Sequence, residues 1–426
     1  MTKLNNNNLN CLILSINLVN IPEAIAKHKL TETCNLARSI GLRISHSSFF
    51  KLRNPSSGFF LSKGLLTNYK GIIEDMKIKL VIFNNSLSPI QQRNLEKYFH
   101  LKVIDRTHLI LEIFGKRAAS HEGKLQVELA HLLYQKSRLV RTWTHLERQR
   151  GGVGFLGGPG ETQLELDKRM LSQRIKKIKS LLLKVQNTRK IQQKNRLDNE
   201  IILVSIVGYT NAGKSTLFNK LLNENVFSKN MLFATLDTTR RIYKSYTYDK
   251  VIISDTVGFI SDLPTELIES FKSTLEEISS SDIVIHVRDL SSPFINQEAE
   301  DVYKILNNIN KEIQNKTIEI FNKVDLYDFD KNYSNFDDSE IFISATRGIG
   351  IEKIPDEIQK KLKTNYINIK LVLNENIGFI VSWLYKNSKV VEKKINEQGK
   401  HKLSINISKV NLKRMKSKFP NVNILN

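Results

Sequence analysis

The sequence predicts a multidomain α/β protein. A doubly wound, mostly parallel sheet carries a phosphate-binding loop; a small α/β domain and a helical hairpin precede it, and a small C-terminal α/β domain follows. Three observations predict this. The apolar run Ile201 to Val207 leads through the glycine-rich octapeptide Gly208 to Ser215 into Thr216-Leu217-Phe218-Asn219-Lys220-Leu221-Leu222, a strand, loop and helix in succession. Residues 10 to 123 alternate strand-like and helix-like runs, as in Leu80 to Phe83, Pro89 to Phe99, Val103 to Ile104 and Leu109 to Phe114. Between these regions Leu171, Ile175, Ile178, Leu182 and Val185 recur at spacings of four and three, the seam of a paired helix.

In chain order, residues 1 to 123 are expected to form the first domain. The short run Cys11-Leu12-Ile13-Leu14 follows four asparagines and lacks a cleavage site, so it reads as a first strand rather than a signal peptide. Residues 124 to 196 are the hairpin, because Leu125, Leu129, Leu132 and Leu133 repeat the helical spacing before the glycine-rich stretch Gly151 to Gly158. Trp143, His145, Arg148 and Arg150 flank that tip and offer stacking, cationic and N–H contacts to structured RNA, while the many other hairpin charges equally suit a solvated face. Residues 197 to 363 hold the phosphate-loop domain. Residues 364 to 426 carry the strand-like runs Ile367 to Leu373 and Lys402 to Ile407 around a helical stretch with Trp383 and Leu384, and end on Lys409, Lys413, Arg414, Lys416 and Lys418.

The octapeptide Gly208-Tyr209-Thr210-Asn211-Ala212-Gly213-Lys214-Ser215 suits a triphosphate. Successive backbone N–H groups and a helix N-terminus wrap the phosphates, Lys214 reaches the β/γ oxygens, and the Ser215 hydroxyl binds Mg²⁺. Downstream, Leu232-Phe233-Ala234-Thr235-Leu236-Asp237-Thr238-Thr239 is a threonine-rich segment suited to a switch. Thr235 is assigned to the Mg²⁺ shell, with Thr238 and Thr239 as competing choices. Asp255-Thr256-Val257-Gly258 ends a β-branched run, placing a carboxylate near the metal and a glycine N–H near the γ-phosphate. Lys214, Thr235 and Gly258 are therefore the expected catalytic set.

Asn322-Lys323-Val324-Asp325 follows another strand-like run and puts a carboxylate where guanine N1 and N2 can donate to it, a donor pair that adenine lacks. Ser344-Ala345-Thr346 follows Ile341-Phe342-Ile343 and offers a backbone N–H to guanine O6. The order and spacing of these elements resemble the translation-factor-related class of P-loop GTPases. After Gly258 stands Phe259, where small signalling GTPases of the Ras type carry a water-orienting glutamine, so intrinsic hydrolysis is expected to be slow and accelerated by a large partner. Asn211 resembles the asparagine of GTPases that use K⁺ at the phosphates; a plain turn asparagine is the other reading.

A second set of motifs lies upstream. The stretch Val81 to Glu96, Val103-Ile104-Asp105-Arg106-Thr107, Glu122 to Ala130 and Gly158-Pro159-Gly160-Glu161-Thr162-Gln163-Leu164-Glu165, together with Phe233 to Asp237, resemble the HflX GTPases over roughly residues 10 to 385. The resemblance implies a GTPase that binds the large ribosomal subunit and its rRNA and rescues stalled ribosomes by splitting them, some members also hydrolysing ATP. Where that family has a Gly-x-Gly-Lys stretch this sequence keeps only Lys63-Gly64, and no arginine precedes its Gly-Pro-Gly. The competing class is a GTP-dependent regulatory or scaffold protein with a non-ribosomal macromolecular partner.

Composition sets the outer bounds. The 426 residues carry a net charge of +22, which favours a polyanionic partner. Cys11 and Cys34 fit no metal spacing and suit a reducing cytoplasm; His100, His108 and His121 form no ligand cluster; no run has the ~18 apolar residues of a membrane span. A monomer is expected.

Overall fold

The computed structural model describes residues 9–18, 22–149, 159–198, 201–222, 232–233, 235–243, 251–326, 340–363, 366–373, 377–395, 401–420 and 422–425. In the first domain β1 (Asn10–Asn17), β2 (Arg43–Lys51), β3 (Leu80–Phe83) and β4 (Lys102–Asp105) form a sheet of order β2-β1-β3-β4, parallel throughout. It alternates with α1 (Glu23–Ser39), α2 (Lys63–Asp75), α3 (Pro89–Phe99) and α4 (Arg106–Arg117). Helices cover both faces, which is why β1 reads as a continuous apolar run. The chain turns into α3 through a capping box: Ser88 Oγ accepts from Gln91 N at 3.2 Å and Gln91 Oε1 accepts from Ser88 N at 2.9 Å, with Pro89 opening the helix.

Two long helices follow, α5 (His121–Gln149) and α6 (Pro159–Asp198). Leu125 and Leu129 of α5 bury against Ile175 and Ile178 of α6, with Leu132, Leu133, Leu181 and Leu182 alongside. The heptad-like residues thus form an internal seam. The glycine-rich stretch 151–158 and Arg150 lie outside the described residues.

The third unit has the strands β5 (Ile202–Gly208), β6 (Thr239–Tyr243), β7 (Val251–Asp255), β8 (Ile283–Asp289), β9 (Thr317–Asn322) and β10 (Ile341–Ile343). Their order is β10-β9-β8-β5-β7-β6, parallel except for the edge strand β6. The helices α7 (Lys214–Leu221), α8 (Thr265–Ser270), α9 (Lys272–Ser279), α10 (Ile295–Ile309) and α11 (Ile354–Lys363) complete it. Every residue of β5 is buried, and this strand lies between β7 and β8, the crevice where ligands of open α/β sheets bind.

The last unit is an antiparallel sheet of order β12-β13-β11-β14, from β11 (Tyr366–Leu373), β12 (Lys389–Ile395), β13 (His401–Ser408) and β14 (Asn423–Leu425), with α12 (Ile377–Asn387) and α13 (Lys409–Lys418). The strands β12 and β14 and the helical character of the basic segment from Lys409 were not expected from the sequence. Met415 of α13 is buried in one core with Leu371, Leu403, Ile405 and Leu384, and Val390 of β12 and Ile424 of β14 pack partly buried against it. No described helix is long and apolar enough to cross a membrane.

Candidate functional site

The site is built where three strands end. β5 runs out at Gly208, and the loop to Gly213 turns into α7. Gly213 has φ +92°, and a Cβ there would lie 2.1 Å from Asn322 Nδ2, so the left-handed turn and the close approach of the Asn322 side-chain amide both require glycine. Asn211 sits at φ 63°, a left-handed turn conformation that asparagine accepts.

Lys214 opens α7 with a buried side chain, its Nζ donating to Tyr209 O at 2.6 Å. Burial pushes its ammonium down to about 8, against the opposing pull of the Asp255 carboxylate. Ser215, Thr235 and Asp255 converge: Ser215 Oγ lies 2.7 Å from Asp255 Oδ2 and 2.8 Å from Thr235 Oγ1, and Thr235 Oγ1 donates to Asp255 Oδ2 at 2.8 Å. The other Asp255 oxygen is buried without a partner, and burial pushes this carboxyl up despite its hydrogen bonds to Ser215 and Thr235. Hard oxygens gathered around an unsatisfied carboxylate oxygen fit a Mg²⁺. Of the three threonines, Thr235 is the one whose hydroxyl meets Ser215 and Asp255. Thr256 Oγ1 donates instead to Ile206 O at 2.7 Å, and Val257 packs partly buried against the core of the first domain.

At the other end of the loop Asn322, nearly fully buried, bridges two segments. Its Nδ2 donates to Ala212 O at 2.8 Å, and its Oδ1 accepts from Ala345 N at 2.9 Å. The Ala345 N–H expected at the guanine base is thus bonded to Asn322 in this structure. Lys323, at φ 69°, donates to Asp289 Oδ2 at 2.6 Å. Val324 and Asp325 lie in a short 3-10 turn, with Asp325 Oδ2 3.9 Å from Arg347 Nε. Ser344 is buried, its Oγ accepting from Arg347 N at 3.1 Å, while Thr346 is exposed beside it. The loop, the metal-type cluster and the Asn-Lys-x-Asp segment are therefore contiguous. Ala234 lies outside the described residues.

The chain matches the models of four family regions: "GTP-binding GTPase N-terminal" over residues 27–115, "GTP-binding GTPase Middle Region" over 117–196, "50S ribosome-binding GTPase" over 203–323 and "HflX C-terminal domain" over 331–424. It is 41% identical over 368 residues to "GTPase HflX" of Magnetococcus marinus, covering 85% of this chain and 84% of that protein. To "GTPase HflX" of Escherichia coli it is 36% identical over 395 residues, covering 92% of each. The chain belongs to the HflX GTPase family. It is accordingly a GTP-binding P-loop GTPase, an enzyme that hydrolyses GTP.

In this HflX chain, part of the pocket's support comes from another domain. Glu32 of α1 and Arg106 of α4, each 6% exposed, pair at 2.5 Å. Tyr209 of the phosphate loop donates its hydroxyl to Glu32 Oε1 at 2.5 Å and accepts from Ser261 N at 2.8 Å. Arg106 Nη2 donates to both Ser261 O and Ser261 Oγ at 3.2 Å, and Nη1 donates to Thr33 and Asn84 at 3.0 Å. Sequence reasoning missed Glu32 and Ser261 and placed Arg106 in a motif without a role, since residues up to 229 positions apart carry no shared pattern. Removing one member of a buried pair leaves its partner's charge uncompensated. Glu32→Ala is therefore expected to destabilise the fold by about 3–5 kcal/mol. Denaturant unfolding measures it, and a loss under about 1 kcal/mol would show that the pair does not hold the domains.

The switch segment is tied to the same domain. Phe233 and Leu236 are buried in the core that also holds Leu109, Ile113 and Val127. The Phe233 ring meets Phe114 edge-on at 4.7 Å. Asp237 accepts from Ala119 N at 2.9 Å and Ser120 N at 2.7 Å, and also from the Ser120 hydroxyl, at the threshold of α5.

Proposed function

We propose that this GTPase binds the large ribosomal subunit and couples GTP binding and hydrolysis to ribosome dissociation or rescue of stalled ribosomes. Lys214 neutralises the β/γ oxygens, Ser215 and Thr235 ligate Mg²⁺ with Asp255 behind them, and Gly258 senses the γ-phosphate. Asp325 reads guanine N1 and N2, and Asn322 holds the loop on which the phosphates lie. When bound, Mg²⁺ supplies positive charge that offsets the charge developing on the transferred phosphoryl group.

The observation that carries this reading is the dual attachment of the switch. Thr235 touches the metal-type cluster while Phe233, Leu236 and Asp237, its near neighbours, are built into the first domain and the start of the hairpin. Order imposed at Thr235 by a triphosphate is thereby felt where α5 begins, and α5 leads to the basic hairpin. The description "50S ribosome-binding GTPase", matched over 203–323, supports the choice of partner.

The test compares GTP turnover alone, with naked rRNA and with isolated large subunits. Turnover is expected to be slow alone and to rise at least tenfold only with subunits, as for a GTPase that lacks its own water-orienting glutamine. Paired Arg148→Ala and Arg150→Ala changes are expected to weaken co-sedimentation with the subunit, and unchanged sedimentation would refute the assignment of the hairpin tip to rRNA. Equal turnover in all three conditions would defeat the ribosomal reading and favour a regulatory protein with another macromolecular partner.

A further inference from the structure

Lys323 is held in a backbone conformation that it does not favour. Its φ of 69° lies in the left-handed region, which costs free energy for a residue with a Cβ and persists only where the surroundings impose it. Contacts on both of its sides impose it here. Asn322, the residue before, is fixed through its side chain to Ala212 and Ala345, and its carbonyl accepts from Leu290 N at 2.9 Å. The Lys323 ammonium meets Asp289 Oδ2 at 2.6 Å, with the two side chains only 21% and 18% exposed.

Asp289 is preset for that contact. It is the last residue of β8, paired in register with Asn322 on β9. Its other oxygen, Oδ1, accepts from Ser291 N at 3.0 Å and from Ser291 Oγ at 2.6 Å, so its own turn orients the carboxylate. The neighbouring acid, Glu298, accepts instead from Ser292 Oγ at 2.7 Å. Earlier on β8, Val287 pairs with Gly208, where the phosphate loop begins. The Lys323 side chain thus crosses from the end of β9 to the end of β8, along the carboxyl edge of the sheet where ligands of open α/β sheets lie. Lys323 is also near enough to Lys214 for its charge to disfavour the Lys214 ammonium, which places both cations at the same pocket.

We propose that Asp289 is a positioning residue for the nucleotide: it anchors the Lys323 ammonium so that the aliphatic stem lines the purine site beside Asp325, and it thereby slows nucleotide release without taking part in the cleavage step. This rests on the guanine reading of the Asn-Lys-x-Asp segment given above. The base is common to substrate, transition state and product, so a wall against it stabilises all three alike and leaves the rate of the bound complex unchanged. Losing one largely enclosed, charge-assisted bond corresponds to about a tenfold change in affinity.

The test uses Asp289→Asn, which keeps the shape and an acceptor for Ser291 but removes the charge, and Lys323→Met, which keeps an unbranched stem without the ammonium. Release of fluorescent GDP and GTP, followed by stopped flow, is expected to speed up about tenfold in D289N. Single-turnover cleavage at saturating GTP is expected to stay within about twofold of the unaltered protein, so that KM rises at constant kcat. The doubly substituted protein is expected to release nucleotide as K323M does, because the two residues act as one unit. Release at the unaltered rate in either single variant, or losses that multiply in the double one, would overturn the proposal. So would a fall in the cleavage rate as large as the fall in affinity, which marks a distorted pocket. In each of these cases the guanine reading stands if Asp325→Asn still weakens GTP binding, and falls with the proposal if it does not.

Discussion

Asp325→Asn is expected to weaken GTP binding by on the order of 10²–10⁴-fold and to turn the base preference towards xanthine. Guanine offers two adjacent donors, N1–H and the N2 amino group, and a carboxylate can accept both in charge-assisted bonds worth roughly 1.5–3 kcal/mol each. Asparagine keeps one acceptor and turns the other position into a donor, which faces the N2 amino group without a bond. Xanthine carries an oxygen there and would be accepted. Asp325 is largely enclosed in its 3-10 turn, its Oδ2 3.9 Å from Arg347 Nε, so the substitution alters the chemistry without a backbone change. Titration with fluorescent GTP and XTP measures both affinities. A variant that still binds GTP within about tenfold would show that Asp325 does not read the base.

The second large effect is expected at Lys214. Lys214→Ala should lower the rate of GTP hydrolysis by about 10²–10³-fold, because a preorganised charge aimed at the β/γ oxygens acts in a site shielded from water. The same residue makes binding depend on pH. With its ammonium pushed down to about 8 by burial, Lys214 loses its proton as pH rises through that value in the unliganded protein. The triphosphate favours the charged form, so GTP binding is expected to take up a proton above pH 8 and to lose affinity progressively there, with no uptake below about pH 7. Calorimetry in buffers of differing ionisation enthalpy reads the uptake directly. Buffer-independent heats at pH 9, or uptake undiminished in Lys214→Ala, would remove Lys214 from that role.

Much of this pocket could be read from the chain because its parts are local. A strand, a glycine turn and a helix in immediate succession specify where Gly208, Lys214 and Ser215 lie, and no distant contact is needed to find them. Asn322 ends β9 and Ser344 directly follows β10, so their separate positions follow from strand periodicity; what periodicity does not contain is that Asn322 joins Ala212 to Ala345. The choice among Thr235, Thr238 and Thr239 was open in the sequence, since all three are polar residues of one loop. It is the burial of Phe233 and Leu236 on either side that aims the Thr235 hydroxyl at Ser215 and Asp255.

The sequence by itself determined the phosphate loop, the place of the carboxylate proposed to read guanine, and the family, because each rests on residue types at short, ordered spacings that backbone geometry converts into a local shape. Only the tertiary structure decided that Glu32 and Arg106 hold Tyr209 and Ser261, that Asp237 meets the chain just before α5, that Phe259 turns into the core and that the Thr210 hydroxyl is left unpaired. Those facts depend on which surfaces pack together once helices and sheets have formed. A charged or polar residue reads the same in a sequence whether packing leaves it in water or encloses it against a partner over two hundred positions away.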